Sequence, residues 1–253
     1  MRLITAPAVW LLADQTFYEP PHLKVEWKEP GTDPERLAEY AGRLCYMSHH
    51  NPADRSTKDY LANIRKQGHG SVLEHAVFVV LIEGISRSCS HELVRHRAGC
   101  GYSQLSQRYV DQTDLGFVVP PSYLALGEAS ATYQRFVQSC ERQATEYAFL
   151  VAEHEAALGH RPSTMQRKRV REAARAVLGN DAETKIVMSA NVRAWRTVLE
   201  LRCSEAAELE IRRLFTSHIL PLLSGHSPAF FNDFETYTAE DGILAARVQY
   251  HKV

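Results

Sequence analysis

Hydrophobic and polar positions along this chain change period repeatedly, and each change marks an element. Val9–Leu12 predicts a first strand. Leu23, Val25 and Trp27 alternate with Lys24 and Glu26, which predicts a second, short one. The unbroken, β-branched run Ala76–Ile82 predicts a strand buried on both faces. Glu183–Ala190, centred on Ile186-Val187-Met188, predicts another. Helical spacing governs the rest. Asp33-Pro34-Glu35 opens a helix to about Ser48, with Asp33 as N-cap and Pro34 in the first helical position. Ser56–Lys66 is a second helix, broken by Gly68-His69-Gly70. A third is expected from about Ser88 to Arg97. It stops at Ala98-Gly99-Cys100-Gly101, because two glycines so close disfavour a helix.

Val118-Val119-Pro120-Pro121 predicts a turn. One long amphipathic helix is expected over Gly127–Leu158, followed by helices at Thr164–Leu178, Ala194–Leu201 and Glu205–Leu223. In the last of these, Ala207, Ile211, Leu214 and Phe215 share a face. The aromatic tail beyond Pro228 is expected to dock on the body. No repeat, low-complexity tract or linker interrupts the pattern, which predicts a single α+β domain over residues 1–253.

Composition narrows the classes. The chain has 253 residues, 45% hydrophobic and 23% charged, ordinary for a globular protein with a large core. A net charge of −1 provides no global field for nucleic acid or an anionic membrane. The five cysteines, Cys45, Cys89, Cys100, Cys140 and Cys203, are spread out and contain no CxxC pair. That argues against a disulfide framework and a zinc ribbon, and for a reducing cytoplasm. Met1 to Ala13 has the makings of a weak signal peptide, but Pro7 interrupts it and no small-x-small site follows. A strand is the better expectation. Ala76–Ile82 is too short to span a bilayer.

Several chemistries fall away. His91-Glu92-Leu93-Val94-Arg95-His96 approaches the HExxH zinc motif with one residue too many. Histidines five apart on a helix diverge by about 140° and do not share a tetrahedral metal. No GxGxxG or GxxxxGK[ST] is present, so any nucleotide cofactor is held by side chains. Arg161, Arg167, Lys168, Arg169, Arg171 and Arg175 form a basic segment that is most simply a solvated face, without the overall charge or stacking aromatics of a nucleic-acid binder. Arg175 stands apart: it lies among Ala173, Ala174 and Val177, where an arginine usually has an anionic partner. The strongest cluster is Arg95-His96-Arg97 followed by Ser103-Gln104-Leu105-Ser106-Gln107-Arg108-Tyr109. Cations beside hydroxyls and amides suit a phosphorylated ligand. The plain alternative is a helix C-terminus carrying cations that complement its dipole.

Those two blocks resemble the signature of flavin-dependent thymidylate synthases. Gly68–His75, Gly84-Ile85-Ser86-Arg87, Ala174–Leu178, Asn191–Arg196 and Leu201–Glu205 keep the family order between about Gly42 and Arg212. The resemblance implies a central, mostly antiparallel sheet with flanking long helices. It implies reductive C5-methylation of uridylate, with methylenetetrahydrofolate as carbon donor, FAD carrying the carbon through its N5, and NADPH as reductant. It implies a homotetramer with shared active sites, no metal and no cysteine nucleophile. Carried over by position, His69, Ser71, Glu74, Arg95, His96, Arg97, Asn191, Arg193 and Thr197 would contact the flavin. Glu92, Arg95, Gln104, Ser106, Gln107, Arg108 and Arg175 would contact the nucleotide. Arg202, the catalytic candidate, would sit at the uracil edge, where a fixed cation stabilises developing charge. Ser106 would bind the substrate and not attack it.

The chain departs from that pattern in three places: one extra residue between Arg97 and Ser106, within Ala98–Gly101; Ala206 where relatives usually carry histidine; and Gly179 where they usually carry proline. The extra residue motivates the expectation that UMP is accepted as well as, or instead of, dUMP, as in the branch serving nucleoside-antibiotic pathways; the plain alternative is neutral drift of the loop in a dUMP enzyme. The competing class is a non-catalytic nucleotide- or RNA-binding protein on the same scaffold.

Overall fold

The computed structural model describes residues 1–159, 161–251 and 253. Strands β1 (Arg2–Ile4) and β2 (Ala8–Ala13) open the chain. Helix α1 (Asp33–Leu44) follows, with Thr32 as N-cap in place of Asp33. The Glu35 carboxylate reaches back to the Thr32 amide at 2.9 Å, which frees Asp33 to accept from Phe17 N–H and Arg36. Helix α2 (Thr57–Lys66) is capped by Ser56, and a 3₁₀ turn covers Gly70–Glu74. Strand β3 (Val77–Ser86) leads directly into α3 (Arg87–Leu93), with Ser86 as cap. Then come β4 (Cys100–Gln104), β5 (Gly116–Val118), α4 (Pro121–Leu126), α5 (Ala131–Ala157) and α6 (Thr164–Ala174). Strand β6 (Glu183–Asn191) feeds α7 (Val192–Arg202). Helices α8 (Leu209–Leu214), α9 (Leu220–His226) and α10 (Pro228–Phe231) precede the hairpin β7 (Phe234–Thr238) and β8 (Leu244–Val248). The central sheet is antiparallel, with strand order β2-β3-β6-β4, and the fold is the expected mixture of helix and sheet.

Four further expectations are corrected. Residues 23–27 form no strand. One carboxylate oxygen of Glu19 takes both the Val25 N–H and the Trp27 indole N–H, each at 2.9 Å, so the alternation records side-chain packing. Strand β3 is not buried on both faces: Val77, Val79 and Leu81 are half-buried between buried Phe78, Val80 and Ile82. Helix α3 ends at Leu93, so Arg95, His96 and Arg97 lie in the turn before β4 and do not decorate a helix end. The expected helix over Glu205–Leu223 starts only at Leu209 and is interrupted by a π turn at Phe215–Ile219. Pro221, with no N–H and a ring that crowds the turn before it, accounts for the widening.

Two compact units emerge. The first comprises Met1–Ala8, Ile82–Val94 and Ser103–Ile186. Here β1 pairs in parallel with β5. Leu115, Phe117, Cys140 and Ala182 form a buried cluster, with Leu3, Phe136, Ala144 and Leu178 packed on it. Gly84 takes φ of +67°, and a Cβ there would press on the Ala6 carbonyl, which explains a glycine inside a strand.

The second unit comprises Val9–Leu81, Arg95–Tyr102 and Val187–Val253. Its core joins Trp195, whose indole N–H donates to the Phe78 carbonyl at 3.3 Å, to the edge-to-face cluster Phe78, Phe230 and Phe231. The tail docks as expected. Arg212, itself buried, pairs with Asp241 at the β7–β8 turn.

Candidate functional site

In the second unit, the N-terminus of α7 faces the turn before β4 across a cavity of about 500 Å³. Asn191 caps α7 by accepting from Ala194 N–H at 2.8 Å, and its own N–H donates to the Gly99 carbonyl at 3.1 Å. Gly99 holds φ of +71°, and a Cβ there would collide with the Asn191 amide and Ala194. The turn is therefore pinned to the helix start. Seven of the nine residues expected at a flavin line this cavity: Glu74, Arg95, His96, Arg97, Asn191, Arg193 and Thr197. His69 and Ser71 are exposed around the adjoining 3₁₀ turn and do not line it.

The donor set suits an anionic cofactor. Arg193 is paired with Glu74 at 2.6 Å, whereas neither Arg95 nor Arg97 makes an ion pair among the described residues. Two unneutralised guanidinium groups beside the positive end of an eleven-residue helix favour phosphate. The volume lies inside the roughly 300–1,000 Å³ typical of cofactor sites. Arg95, Arg97 and the α7 N-terminus would hold an anionic, phosphate-bearing cofactor here.

Behind this wall lies Arg202. Its Nε–H donates to His96 Nε2 at 2.9 Å. Arg202 also lines a second cavity, of about 550 Å³, with Ser204, Ala206, Tyr237 and His251. Burial, reinforced by the charges of Arg202 and Arg95, holds the His96 imidazole below its ordinary value.

The first unit holds most residues expected at a nucleotide. Gln104 donates to Ser90 Oγ at 2.9 Å and Thr184 Oγ1 at 3.2 Å. Ser106 Oγ accepts from the Arg108 amide at 3.3 Å. Gln107 is buried with its Nε2 unsatisfied, and Glu92 is half-buried at the end of α3. Arg108 pairs with Glu172 at 3.0 Å. Arg175, expected to have an anionic partner, has no ion pair among the described residues. Its charged neighbour is Arg87, whose guanidinium is lowered first by burial and then by Arg175's charge. Arg87 Nη1 is buried without a partner. Two like charges near each other, one with a buried unused donor, form a pair that suits an anionic partner. Arg87 was not foreseen as a site residue, although it stands within the Gly84–Arg87 block. The available signal was a cation immediately after a buried strand.

The rest of α6 is engaged locally. Arg171 reaches Asp111 and the Tyr109 carbonyl, and Lys168 sits over the Tyr109 ring. Burial pushes the Cys140 and Cys203 thiols up to about 12 and raises Cys100.

A sheet flanked by helices, with a cation-lined cavity at a helix start, describes a cofactor-binding enzyme scaffold. Comparison gives the particular family. Residues 29–228 match the family model "Thymidylate synthase complementing protein", and the chain belongs to that family of enzymes. Proteins named "Flavin-dependent thymidylate synthase" are similar over nearly the whole length. The one from Mycobacterium sp. (strain JLS) is 44% identical over 250 residues, 96% of each chain. That from Mycobacterium avium (strain 104) is 44% identical over 241 residues, 94% of each. That from Mycobacterium tuberculosis (strain ATCC 25177 / H37Ra) is 44% identical over 247 residues, 96% of each. Among the described residues, no helix is long and apolar enough to cross a membrane.

Proposed function

We propose that the protein methylates C5 of dUMP reductively, in the cytoplasm, using FAD as bound cofactor, methylenetetrahydrofolate as carbon donor and NADPH as reductant. The observation that carries the reading is the convergence of Arg95, His96, Arg97, Asn191, Arg193 and Thr197 on one cavity at the α7 N-terminus. When bound there, a flavin supplies the redox equivalents and relays the one-carbon unit. The chain's own residues bind and polarise. Arg95 and Arg97 neutralise phosphate, Arg193 lines the wall in its pair with Glu74, and Asn191 and Gly99 keep the wall rigid. His69 and Ser71 are retained as flavin contacts at the rim.

In the same reading Arg87 and Arg175 receive the nucleotide phosphate, with Glu92, Gln104, Ser106, Gln107 and Arg108 around the sugar and base. Arg202 faces the uracil edge and stabilises negative charge as C5 becomes nucleophilic. The enzyme works as a homotetramer with shared sites; exposed Trp10 and Leu12 on one face of β2 support burial in an assembly.

The acceptor range extends to UMP. The motive is the one-residue-longer turn at Ala98–Gly101, whose Ala98, Gly99 and Cys100 line the flavin cavity. Turnover of UMP and dUMP is measured side by side with purified enzyme, FAD, NADPH and methylenetetrahydrofolate. Methylation of both is expected. Turnover of dUMP alone refutes the extension, and turnover of neither refutes the activity.

A further inference from the structure

His96 and Arg202 come from different elements and meet at one hydrogen bond. His96 stands in the turn before β4, where the Tyr102 hydroxyl donates to its carbonyl at 2.9 Å. Arg202 is the last residue of α7. Arginine offers only donors, so the 2.9 Å bond from its Nε requires a lone pair on His96 Nε2. The ring is then neutral and carries its proton on Nδ1. His96 lines the flavin-side cavity, while Arg202 lines the neighbouring one. The hydrogen bond thus joins a residue lining one cavity to a residue lining the other.

We propose that neutral His96 is a positioning residue: its Nε2 lone pair helps set the plane of the Arg202 guanidinium, and a proton gained there breaks that bond. The inference rests on the reading above, in which Arg202 faces the uracil. Protonation would turn the acceptor into a donor and place two cations in contact. The charged groups around the ring favour the neutral form. Arg202 bonds it, Arg95 precedes it, and Arg97 shares the cavity wall. The one carboxylate on that wall, Glu74, is taken by Arg193 at 2.6 Å, and no carboxylate bonds the ring among the described residues. Cys100, the remaining titratable group on the wall, has its thiol raised by burial and stays protonated. These surroundings agree with the lowered imidazole.

Two measurements test this. In protein carrying ¹⁵N-labelled histidine, NMR should find the Nδ1–H tautomer of His96 and a titration midpoint below the ordinary value of about 6.5. Arg202→Leu should raise that midpoint. An Nε2–H tautomer, or a midpoint that does not move in Arg202→Leu, overturns the proposal without any reference to activity. In the second measurement, kcat with saturating dUMP should fall about tenfold per pH unit below the midpoint in the wild type. His96→Gln, whose amide oxygen is an acceptor that does not titrate, should lose that acid limb. His96→Leu should lower kcat about a hundredfold at pH 8 while the KM for dUMP changes little. The same acid limb in His96→Gln overturns the proposal. Bound flavin is followed by visible absorbance in every variant. A wild-type protein that neither holds flavin nor methylates dUMP removes the functional reading, and the NMR result still decides the hydrogen bond.

Discussion

The Asp233 carboxylate receives both terminal nitrogens of Arg196, at 2.7 and 2.8 Å, and Arg65 lies 3.7 Å away on the same carboxylate. All three side chains are at most 3% exposed. Arg196 also donates to the Phe230 and Tyr250 carbonyls, and Arg65 to the Asn232 side chain and the Ala229 carbonyl. One carboxylate therefore fastens α2 and α7 to the chain beyond Pro228. Asp233→Asn leaves two buried arginines without their anion and should cost about 3–5 kcal/mol in urea unfolding.

The same carboxylate gives a pH signature. Burial raises the Asp233 pKa, but the Arg196 hydrogen bonds and the charges of Arg196 and Arg65 outweigh it, so the folded value is lowered. Its contribution is complete above the unfolded carboxylate value, about 3.9, and is lost as pH falls through the lower folded value. The wild-type stability curve should drop across that acid window more steeply than that of Asp233→Asn.

Gly99→Ala should damage the flavin cavity and little else. The backbone conformation alone costs an L-residue about 1–2 kcal/mol, and the new methyl would press on the Asn191 amide and Ala194 Cβ. Fluorescence titration should show weaker FAD binding at nearly unchanged helix content by circular dichroism.

Arg97→Ala should weaken FAD binding about 10–100-fold, the loss of one charge-assisted phosphate contact. Arg167, which donates to the Pro162 carbonyl at 2.7 Å in the other unit, provides the control: Arg167→Ala should leave flavin affinity unchanged.

Arg202→Ala should lower kcat about 10²–10³-fold, because a cation poised for developing charge acts mainly in the transition state. Urea unfolding should shift far less than for Asp233→Asn, by about 1–2 kcal/mol, the order of a hydrogen bond or two. Rapid-quench measurement of methyl transfer separates the two effects.

Much of the fold was legible in local signals. Ser56 before α2, the Asp33-Pro34-Glu35 start of α1, the β-branched β3 and the length of α5 are written in short stretches. What failed depended on partners far along the chain. The 23–27 alternation looked like a strand because nothing local shows that Glu19 occupies its donors. The C-terminal hairpin lies in the aromatic tail, whose pattern shows docking but not pairing. Asp241-Gly242 between two apolar-alternating runs was the missed signal. At the site, Arg95 to Arg97 and Asn191 to Thr197 were visible as separate blocks. Their meeting at one cavity, and the bond between His96 and Arg202, arise only when β6 delivers α7 to the turn before β4. Arg87 was visible but unread, because its meaning depends on Arg175 lying beside it.

The most direct test of the central claim is tritium release from dUMP labelled at C5, since methylation must displace that hydrogen. Purified protein with FAD, NADPH and methylenetetrahydrofolate should release tritium to water and form dTMP in equal amounts, and both should cease when FAD is omitted from the apoprotein. Protein that holds flavin yet releases no tritium and forms no dTMP would contradict the account.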